Sequence, residues 1–440
     1  MSRRSARGLE LETRLRGNDT AFFASLRDKS PDRSRTWIGG LVALLTAFAL
    51  LAPAAVQAKV VLPAASTGDA GPPVKAVIGY LGLTNDPRHA PFFANTEIQL
   101  RPADNPLDGA KLGLADEKII ADAVNLSFTL DPEDAKDVTG LMAKLQTMVK
   151  NGERFVLLDL PGDLTGQVAQ QAQSLKVTLI NVSAPDNALR QACYKDLLDT
   201  AASDRQKTDA LVQLLVSHNW SKVLVLEGAT ARDKAFTQSF VDSAKRLRLN
   251  VVDTRQFTLS KDPMQRGNNN TLLITGNADY DVVFVADSGK EFDRYLPYQT
   301  QLARPVIGTT GLVPTEWHWS WDDYGAPQVQ HRFEKLTGGR HMSGADWAAW
   351  IAVKTVVDSY ARAGSTNPDD IDKYLRSDNL KSDGSKGLTL NYRPWSGELR
   401  QPILLATEDA VIGAAPIQGF VNQTNNLDTL GEDKPESKCP

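Results

Sequence analysis

The chain has 440 residues, which is enough for two domains of ordinary size. Its formal net charge is -4 at pH 7, and the sequence contains neither a stripe of basic residues nor a run of like charge. Nucleic acid and anionic membrane surfaces are therefore excluded as expected partners.

The N-terminal region has the pattern of a secretory signal. An apolar, charge-free segment covers residues 37–52, after a basic flank and before the small residues of 55–58 (AVQA). This pattern predicts cleavage after Ala58, so residues 1–58 form the predicted signal peptide and the mature protein is expected to be exported. A membrane anchor is the alternative, because a longer reading of the apolar run approaches the roughly 20 residues that span a bilayer. Pro53 and the small residues after it favour cleavage.

The sequence contains two cysteines, Cys193 and Cys439. In an oxidising compartment such a lone pair predicts a disulfide, which here would connect the polar C-terminal tail to the body of the protein. Two unrelated thiols are the alternative. Neither cysteine has a sequence context that suggests nucleophilic chemistry.

Short apolar runs and amphipathic helical patterns alternate from residue 74 onward. The predicted strands are residues 77–81, 155–158, 177–182, 223–226, 282–286 and 306–307. Most of these runs are continuously apolar, which is typical of parallel strands covered on both faces. Residues 124–130 alternate instead between apolar and polar side chains, so they predict a strand with one face toward water.

Capping patterns predict where several helices begin and end. Asp131 and Pro132 are expected to start a helix that ends at Asn151. Further helices are predicted to begin at Ser203 and at Asn367.

Repeated strand–helix order predicts parallel sheets with right-handed crossovers. The strands are too many for one compact sheet, so we expect an α/β protein with two Rossmann-like lobes hinged around a cleft. The first lobe is predicted to contain residues 74–200 and 313–380, and the second lobe residues 201–312 and 385–407. The tail, residues 408–440, is expected to be irregular.

Sequence motifs for catalysis are missing. The chain lacks a Gly-x-Ser-x-Gly elbow, a phosphate-binding loop, a dinucleotide-binding glycine pattern and a His-Glu-x-x-His zinc motif. Its five histidines are scattered along the sequence. We therefore expect a protein that is not an enzyme and that holds no metal and no cofactor.

Polar loops follow the predicted strands, where the crevice of parallel sheets usually lies. Their short polar side chains and helix N-terminal amides suit a small polar or anionic group. The candidate ligand-binding residues are Asp163, Ser183, Ala184, Asp287, Ser288, Thr309, Thr310 and Trp317. Asp163 and Asp287 are expected to accept hydrogen bonds from hydroxyls or a cation. Trp317 begins an aromatic segment, residues 317–324, that either lines the cleft or fills the interface between the lobes.

From about residue 74 to residue 407 the chain resembles type I periplasmic binding proteins, the leucine/amide group of ABC-transporter receptors. The residues that carry this resemblance are 76–80 (AVIGY), 108–114 (DGAKLGL), 180–189 (INVSAPDNAL) and 218–223 (HNWSKV). More narrowly, the chain is similar to the subfamily associated with PQQ-dependent alcohol dehydrogenase systems, through residues 311–318 (GLVPTEWH), 346–350 (DWAAW) and 392–402 (YRPWSGELRQP). The resemblance implies two lobes joined by three crossings, with the ligand bound between them.

The chain departs from the amino-acid receptors of this family at the ligand clamp. Those receptors grip the carboxylate and ammonium groups of the ligand with a serine, a threonine after the fourth strand and an acid in the second lobe. The corresponding positions here fall at Pro161-Gly162-Asp163, near Pro185 and near Thr310. A branched-chain amino acid is therefore not the expected ligand.

We expect the protein to capture a small organic solute, to close about a hinge, and to present the closed form to an ABC permease in the inner membrane. By the resemblance, the solute is an alcohol-derived metabolite or a quinone-type cofactor linked to the dehydrogenase system. The alternative is a sensor or accessory subunit that docks on a PQQ-dependent dehydrogenase and feeds no transporter.

Overall fold

The computed structural model describes residues 72–93, 99–101, 103–258 and 269–439, all within a unit that spans Thr67–Pro440. The predicted signal peptide, residues 1–58, lies outside the described residues. Two parallel sheets, each packed between helices, dominate this part of the chain.

The strands and helices follow in chain order, numbered within the described ranges. The strands are β1 (Val74–Leu83), β2 (Phe92–Phe93), β3 (Gln99–Arg101), β4 (Leu126–Ala135), β5 (Phe155–Asp159), β6 (Thr178–Asn181), β7 (Leu197–Asp199), β8 (Lys222–Glu227), β9 (Asn250–Gln256), β10 (Val282–Ala286), β11 (Val306–Gly308), β12 (Val313–Thr315), β13 (Ser382–Asp383), β14 (Thr389–Leu390), β15 (Ile403–Ala406) and β16 (Val411–Ala415). The α-helices are α1 (Pro106–Ala123), α2 (Val138–Lys150), α3 (Gly162–Gln171), α4 (Asn187–Gln191), α5 (Asp204–Ser217), α6 (Ala231–Arg246), α7 (Thr271–Ile274), α8 (Ala326–Thr337), α9 (Gly344–Arg362) and α10 (Pro368–Leu375).

The first sheet has five parallel strands in the order β4-β1-β5-β6-β7. Every residue of β5 is buried, because α-helices cover both faces of the sheet. Helices α1 and α9 pack on one face through a core that includes Trp347 and Trp350. Helices α2 and α3 cover the other face through residues such as Leu145 and Val168. This sheet and its helices form the first lobe.

Two glycines allow α1 and α9 to approach each other closely. A Cβ atom on Gly109 would lie 1.9 Å from the carbonyl oxygen of Asp346, and one on Gly113 would lie 2.9 Å from the carbonyl oxygen of Trp350. Any larger residue at these positions would push the helices apart. Two of the motifs quoted above, residues 108–114 and the one around Asp346, therefore meet in a single packing contact.

The predicted helix start at Asp131 and Pro132 is wrong. Strand β4 continues through both residues to Ala135, and α2 begins after Asp137, whose carboxylate accepts the capping hydrogen bond. Proline is tolerated here because β4 is an edge strand. On its outer side no neighbouring strand needs a backbone N–H group as a hydrogen-bond donor. The predicted end of the helix at Asn151 is confirmed.

The second sheet has four parallel strands in the order β11-β10-β8-β9. Helices α5 and α6 pack on one face, where the Phe240 ring stacks on Phe284 of β10 with 3.9 Å between centroids. A small antiparallel sheet, β12-β15-β16, adds Ile403 and Leu405 of β15 to the same core. These elements form the second lobe.

The prediction of two α/β lobes is confirmed, but the boundaries differ from those predicted. Leu390, Tyr392 and Leu399 lie in the core of the first lobe, whereas the sequence predicts residues 385–407 in the second lobe. The tail that is predicted to be irregular contains β16, which pairs with β15, and Leu430, which is fully buried. Both segments are rich in polar residues, so their few buried apolar positions give no periodic pattern.

The chain passes between the lobes three times. The first crossing joins β7 to α5, the second leads from β12 to Trp317, and the third leads from Leu399 to β15. The first crossing lies where the sequence predicts the boundary between the lobes, at residues 200 and 201.

A buried charge cluster connects these crossings. The Glu316 carboxylate accepts a hydrogen bond from the backbone N–H of Ala202 at 3.1 Å and pairs with Lys207 Nζ at 2.9 Å. Burial acts to raise the pKa of Glu316, but Lys207, assisted by Lys386, outweighs burial and lowers the pKa. Lys386 in turn donates to the Gln401 side chain at 3.0 Å. Charge therefore fixes residues of all three crossings to one another.

The C-terminal tail lies across the junction of the lobes. The Asp428 carboxylate accepts hydrogen bonds from Arg393, which precedes the third crossing, and from Arg400 within it, at 2.9 and 2.8 Å. The backbone N–H of Gly431 donates to Asp209 of α5 at 2.8 Å. The tail thus contacts both the segment that contains Arg393 and Arg400 and the first helix of the second lobe.

The predicted disulfide between Cys193 and Cys439 is confirmed, and it joins residues that are 246 positions apart. Cys193 follows α4 in the first lobe, whereas the tail next to Cys439 is bound to α5 through an ion pair of Glu436 with Arg205. The disulfide therefore adds a covalent connection between the lobes to the three crossings.

Replacing both cysteines by serine (C193S together with C439S) should lower the free energy of unfolding by up to about 5 kcal/mol, because the unfolded chain loses a very long covalent loop. Guanidinium denaturation under non-reducing conditions measures the change. Wild-type protein treated with a reductant is the control and should unfold like the double variant. An unchanged midpoint would contradict a contribution of the disulfide to stability through the unfolded chain.

Candidate functional site

The carboxyl edge of the first sheet carries a network of charged side chains. Asp159, the last residue of β5, is buried and accepts a hydrogen bond from the Tyr80 hydroxyl at 2.7 Å. The loop after β1 brings Arg88 and His89 to the same carboxylate, at 3.3 and 2.9 Å. The second ring nitrogen of His89 contacts Asp104. We call these five residues the first-lobe network.

The network is held together by ion pairs. Burial alone would lower the pKa of His89, but its hydrogen bonds to Asp104 and Asp159 outweigh burial and raise the pKa to about 9. Burial would raise the pKa of Asp159, but His89 and Arg88 keep it below its ordinary value. His89 is therefore positively charged at neutral pH.

Three of the predicted ligand residues lie at or near this edge. The Ser183 hydroxyl, just after β6, accepts a hydrogen bond from the Arg88 guanidinium at 3.1 Å. Ala184 is fully buried, and its carbonyl accepts a hydrogen bond from the Asn181 side chain at 2.8 Å. Asp163 is exposed in the first turn of α3. Ser183 therefore adjoins the first-lobe network, whereas Ala184 lies beneath the surface.

The carboxyl edge of the second sheet brings together three more of the predicted ligand residues. The buried Asp287 carboxylate accepts hydrogen bonds from three backbone N–H groups of the turn that follows it, at 2.8 to 3.1 Å. Ser288 is exposed, and its backbone N–H donates to Asp233 at 2.6 Å. The Thr309 hydroxyl donates to Asp293 at 2.7 Å. Asp287 thus holds the turn in place, since its oxygens are already engaged by backbone amides.

A cavity of about 190 Å³ opens at this edge, and we call it the second-lobe cavity. Asp287, Ser288 and Thr309 line it. Three cations and three apolar residues complete much of the lining: Lys207, Arg232 and Lys290, and Phe236, Val313 and Pro314. Thr310, the remaining predicted residue of this edge, is partly exposed beside Thr309 and lies outside the lining.

A loop at the carboxyl edge of the first sheet contacts the second lobe. Burial acts to lower the pKa of Arg232 at the start of α6, but the Asp204 carboxylate outweighs burial and raises the pKa. Asp186 of the first lobe also raises it. Close to the hinge, the Asn187 side chain donates to the Ser239 hydroxyl of α6 at 3.1 Å. The loop after β6 therefore links the carboxyl edge of the first sheet to α6 of the second lobe.

Trp317 lies apart from these residues. Its side chain is 2% exposed in the core of the first lobe, and its indole N–H donates to the Gln330 side chain at 2.9 Å. The Trp321 indole donates to the carbonyl of Ser385 at 3.0 Å. The aromatic segment therefore packs mainly within the first lobe, away from the second-lobe cavity.

Sequence reasoning missed the cations at these edges. Arg88, Arg232 and Lys290 lie in or next to strand-end loops, but the expected pattern there is one of short polar side chains. The sequence signal that could have found them is a positively charged residue in a loop that follows a predicted strand. The acids beneath these cations, Asp159 and Asp204, are far away along the chain, so the sequence does not reveal the pairing.

Two further properties concern the described residues alone. None of their helices combines the length and hydrophobicity that a transmembrane segment requires. They also contain no cluster of three His, Cys, Asp or Glu side chains arranged to hold a metal ion.

Two parallel α/β lobes, three crossings and polar strand ends around a shared cleft define a two-lobed binding protein. The family model described as periplasmic binding protein matches residues 128–407. The chain therefore belongs to the periplasmic binding protein family, which implies a periplasmic protein. No curated protein sequence matches the chain.

Solved structures share this fold at low sequence identity. A branched-chain amino acid ABC transporter periplasmic ligand-binding protein from Burkholderia xenovorans LB400 matches with a TM-score of 0.63 at 11% identity, over 77% of this chain and 95% of that one. A leucine-, isoleucine-, valine-, threonine- and alanine-binding protein from Brucella ovis, in a closed conformation, matches with a TM-score of 0.60 at 13% identity. The match covers 78% of this chain and 92% of that one.

A third similar structure holds a ligand of a different kind. It is an ABC transporter solute-binding protein from Rhodopseudomonas palustris BisB5 in complex with 3,4-dihydroxybenzoic acid, with a TM-score of 0.56 at 13% identity, over 76% of this chain and 93% of that one. At these identities the likeness establishes the fold alone.

Replacing His89 by glutamine should flatten the dependence of stability on alkaline pH. Because its folded-state pKa is raised to about 9, the stability from charged His89 is complete below its ordinary pKa and is lost as pH rises through 9. The wild-type minus H89Q difference in unfolding free energy should fall by at most about 3 kcal/mol between pH 6 and roughly pH 10.

Urea denaturation across this pH range measures the difference. His331, which is exposed on α8, provides the control variant H331Q, whose curve should follow that of the wild type. A constant difference between wild type and H89Q at every pH would contradict the raised pKa of His89.

Proposed function

We propose that this protein is the solute-binding component of an ABC transporter. It captures a small organic solute between its two lobes, closes around it and presents the closed form to a permease in the inner membrane. The supporting observations are two parallel-sheet lobes joined by three crossings, polar residues at the carboxyl edge of each sheet, and the contact of Asn187 with Ser239 between the lobes. Ligand contacts to both lobes would favour the closed state by population shift.

The proposed ligand contacts come from both edges. Ser183 and Asp163 contribute from the first lobe, and Ser288, Thr309 and Thr310 from the second lobe. Ala184 and Asp287 have a different proposed role: they shape the loops that carry the contacts. Ala184 is buried, and the Asp287 carboxylate is engaged by backbone amides. Trp317 is left out because it is buried in the first-lobe core.

The proposed role is binding without chemical change. The solute class follows from two sources. Residues 311–318 and 392–402 resemble the subfamily linked to PQQ-dependent alcohol oxidation, which favours an alcohol-derived metabolite or a quinone-type cofactor. The structurally similar proteins are named for branched-chain amino acids or were solved with 3,4-dihydroxybenzoic acid, so acids belong among the candidates.

A second function rests on the same resemblance. Residues 392–402 form the segment that precedes the third crossing, and the tail covers part of it through Asp428 and the carbonyl of Glu432. The alternative is therefore a sensor or accessory subunit of a PQQ-dependent dehydrogenase that feeds no transporter.

A thermal-shift screen of the mature protein against alcohols, organic acids, amino acids and quinone cofactors tests solute capture. A true ligand at 100 times its Kd should stabilise the protein by about 2.7 kcal/mol. Mass spectrometry should recover that ligand unchanged. If no compound shifts the unfolding temperature, or if the compound is converted, the proposed function fails.

Affinity capture from periplasm separates the two functions. The transporter role predicts that ligand-loaded protein retains permease components in detergent extracts, and that deletion of the gene abolishes solute uptake. Recovery of a PQQ-dependent dehydrogenase together with normal uptake would favour the accessory role instead.

A further inference from the structure

The disulfide between Cys193 and Cys439 lies on the wall of a surface cavity. Both cysteines line this cavity of about 190 Å³, together with side chains that include Lys195 and Trp395. Each cysteine is partly exposed. A thiol reagent therefore has access to the sulfur atoms while the protein stays folded, unlike a reagent that must reach a disulfide inside a hydrophobic core.

The surroundings of the two sulfurs also suit the reduced state. Cys439 Sγ lies 3.7 Å from the backbone carbonyl oxygen of Arg190, and Cys193 Sγ lies 3.6 Å from that of Gln191. A disulfide sulfur has no hydrogen to donate, whereas a free thiol donates a weak hydrogen bond to a carbonyl. After reduction, each sulfur would therefore find a hydrogen-bond acceptor already in place.

The backbone at Cys193 is in an unfavourable conformation. Its φ is 57°, in the left-handed region that residues other than glycine rarely adopt. Cys193 stands two residues after the end of α4, a position that glycine commonly fills. Breaking the bond would free this residue to relax, and exposed or strained disulfides are the ones that exchange readily.

The disulfide is the firmest attachment of the last part of the tail. Glu432 is buried, but most of residues 433–438 are exposed. Glu436 pairs with Arg205 of α5 and lies 3.8 Å from Arg246 of α6. Because the Glu436 side chain is 41% exposed, water and salt screen these ion pairs. The covalent bond therefore holds this segment more firmly than its charges do.

The same segment closes a space between the lobes. A cavity of about 470 Å³ lies between α4 of the first lobe and helices α5 and α6 of the second lobe, and Glu436 forms part of its wall. The Asn187 side chain of α4 accepts a hydrogen bond from the backbone N–H of Arg205 at 2.9 Å and donates one to Ser239 at 3.1 Å. Release of the tail would remove one wall of this cavity and weaken the tie between α4 and these helices.

We propose that the Cys193–Cys439 disulfide is a thiol–disulfide exchange site, and that its redox state controls how firmly the tail ties α4 to the second lobe. The partner in the exchange is a dithiol. In the oxidised state the tail is closed over the cavity between the lobes, and in the reduced state it is released. This inference does not depend on the proposed function or on the identity of the solute.

The exchange consumes one dithiol. Its thiolate attacks Cys439 Sγ, the bond to Cys193 breaks, and Cys193 leaves as a thiolate that takes up a proton. The second thiol of the reagent then attacks the mixed disulfide, so that Cys439 is released as a thiol and the reagent becomes a disulfide. The protein gains two electrons and two protons, and the dithiol loses the same number. Lys195, exposed on the same cavity lining, favours the leaving thiolate of Cys193.

Reduction of the native, oxidised protein by dithiothreitol tests the exchange site. A maleimide traps free thiols at timed intervals, and mass spectrometry counts them. A 10-fold increase in dithiothreitol should raise the rate about 10-fold, because the reagent attacks the folded protein directly. Urea at concentrations that leave the circular dichroism unchanged should not raise the rate. A rate that is independent of dithiothreitol, or that rises with urea, would show that the bond is reached only through an opened state, and the inference would be overturned.

Hydrogen exchange of the oxidised and the reduced protein measures the tie between the lobes. Reduction should speed the exchange of residues 433–439 by about 10-fold or more and speed that of α4 in the same direction, whereas α9 in the first-lobe core should stay protected. The double variant C193S with C439S should match the reduced wild type and should not respond to dithiothreitol. Unchanged exchange in residues 433–439 and α4 after reduction would refute control of the tie by the disulfide.

The variant E436Q separates the covalent anchor from the ionic one. In the oxidised protein it should leave the exchange of residues 433–439 within about 2-fold of the wild type, since the disulfide still holds them. In the reduced protein it should speed their exchange further. E408Q is the matched control, because Glu408 is exposed in the turn between β15 and β16, and it should follow the wild type in both states. If E436Q frees the tail of the oxidised protein as fully as reduction does, the ion pair is the anchor and the proposal fails.

Discussion

The structure depends on the buried ion pair of Glu316 with Lys207 at the hinge. It links the first crossing to the second, and Lys386 with Gln401 extends the contact to the third. Burial lowers the pKa of Lys386 well below its ordinary value, which Glu316 opposes. Removing one member would leave an uncompensated charge among the crossings, so the arrangement holds the three crossings in register. The same lysine, Lys207, lines the second-lobe cavity, so the hinge and the candidate site share a charged group.

Much of the fold could be predicted from the sequence because buried parallel strands are continuous apolar runs. β5, β8 and β10 are of this kind and coincide with the prediction. β9 was not predicted, since it is an edge strand with four exposed residues and polar side chains such as Asp253 and Arg255. The Asp-Pro pair in β4 shows the opposite problem, because the same residues cap helices and tolerate sheet edges. Only the tertiary position of the strand decides between the two.

The candidate site could be predicted less completely. The strand-end rule identified Ser183, Ser288 and Thr309, because every parallel sheet brings its carboxyl ends to one edge. The role of Asp287 depended on three backbone amides whose direction no sequence pattern specifies. The cations were missed for a related reason: Arg232 is held by Asp204 from another helix. Composition indicated a mildly acidic protein, and it could not show that Arg88 and Arg232 lie over buried acids at the sheet edges.

The disulfide between Cys193 and Cys439 also sets an order of events during biogenesis. Its two sulfurs are 246 residues apart, and the intervening chain contains the whole second lobe. That lobe must be synthesised and translocated before the second thiol reaches the oxidising compartment. Until then Cys193 is a lone thiol, and the first lobe itself also awaits the later residues of its core, such as Trp347 and Leu399. Formation of the bond therefore reports that export of the polypeptide has passed its final structural element.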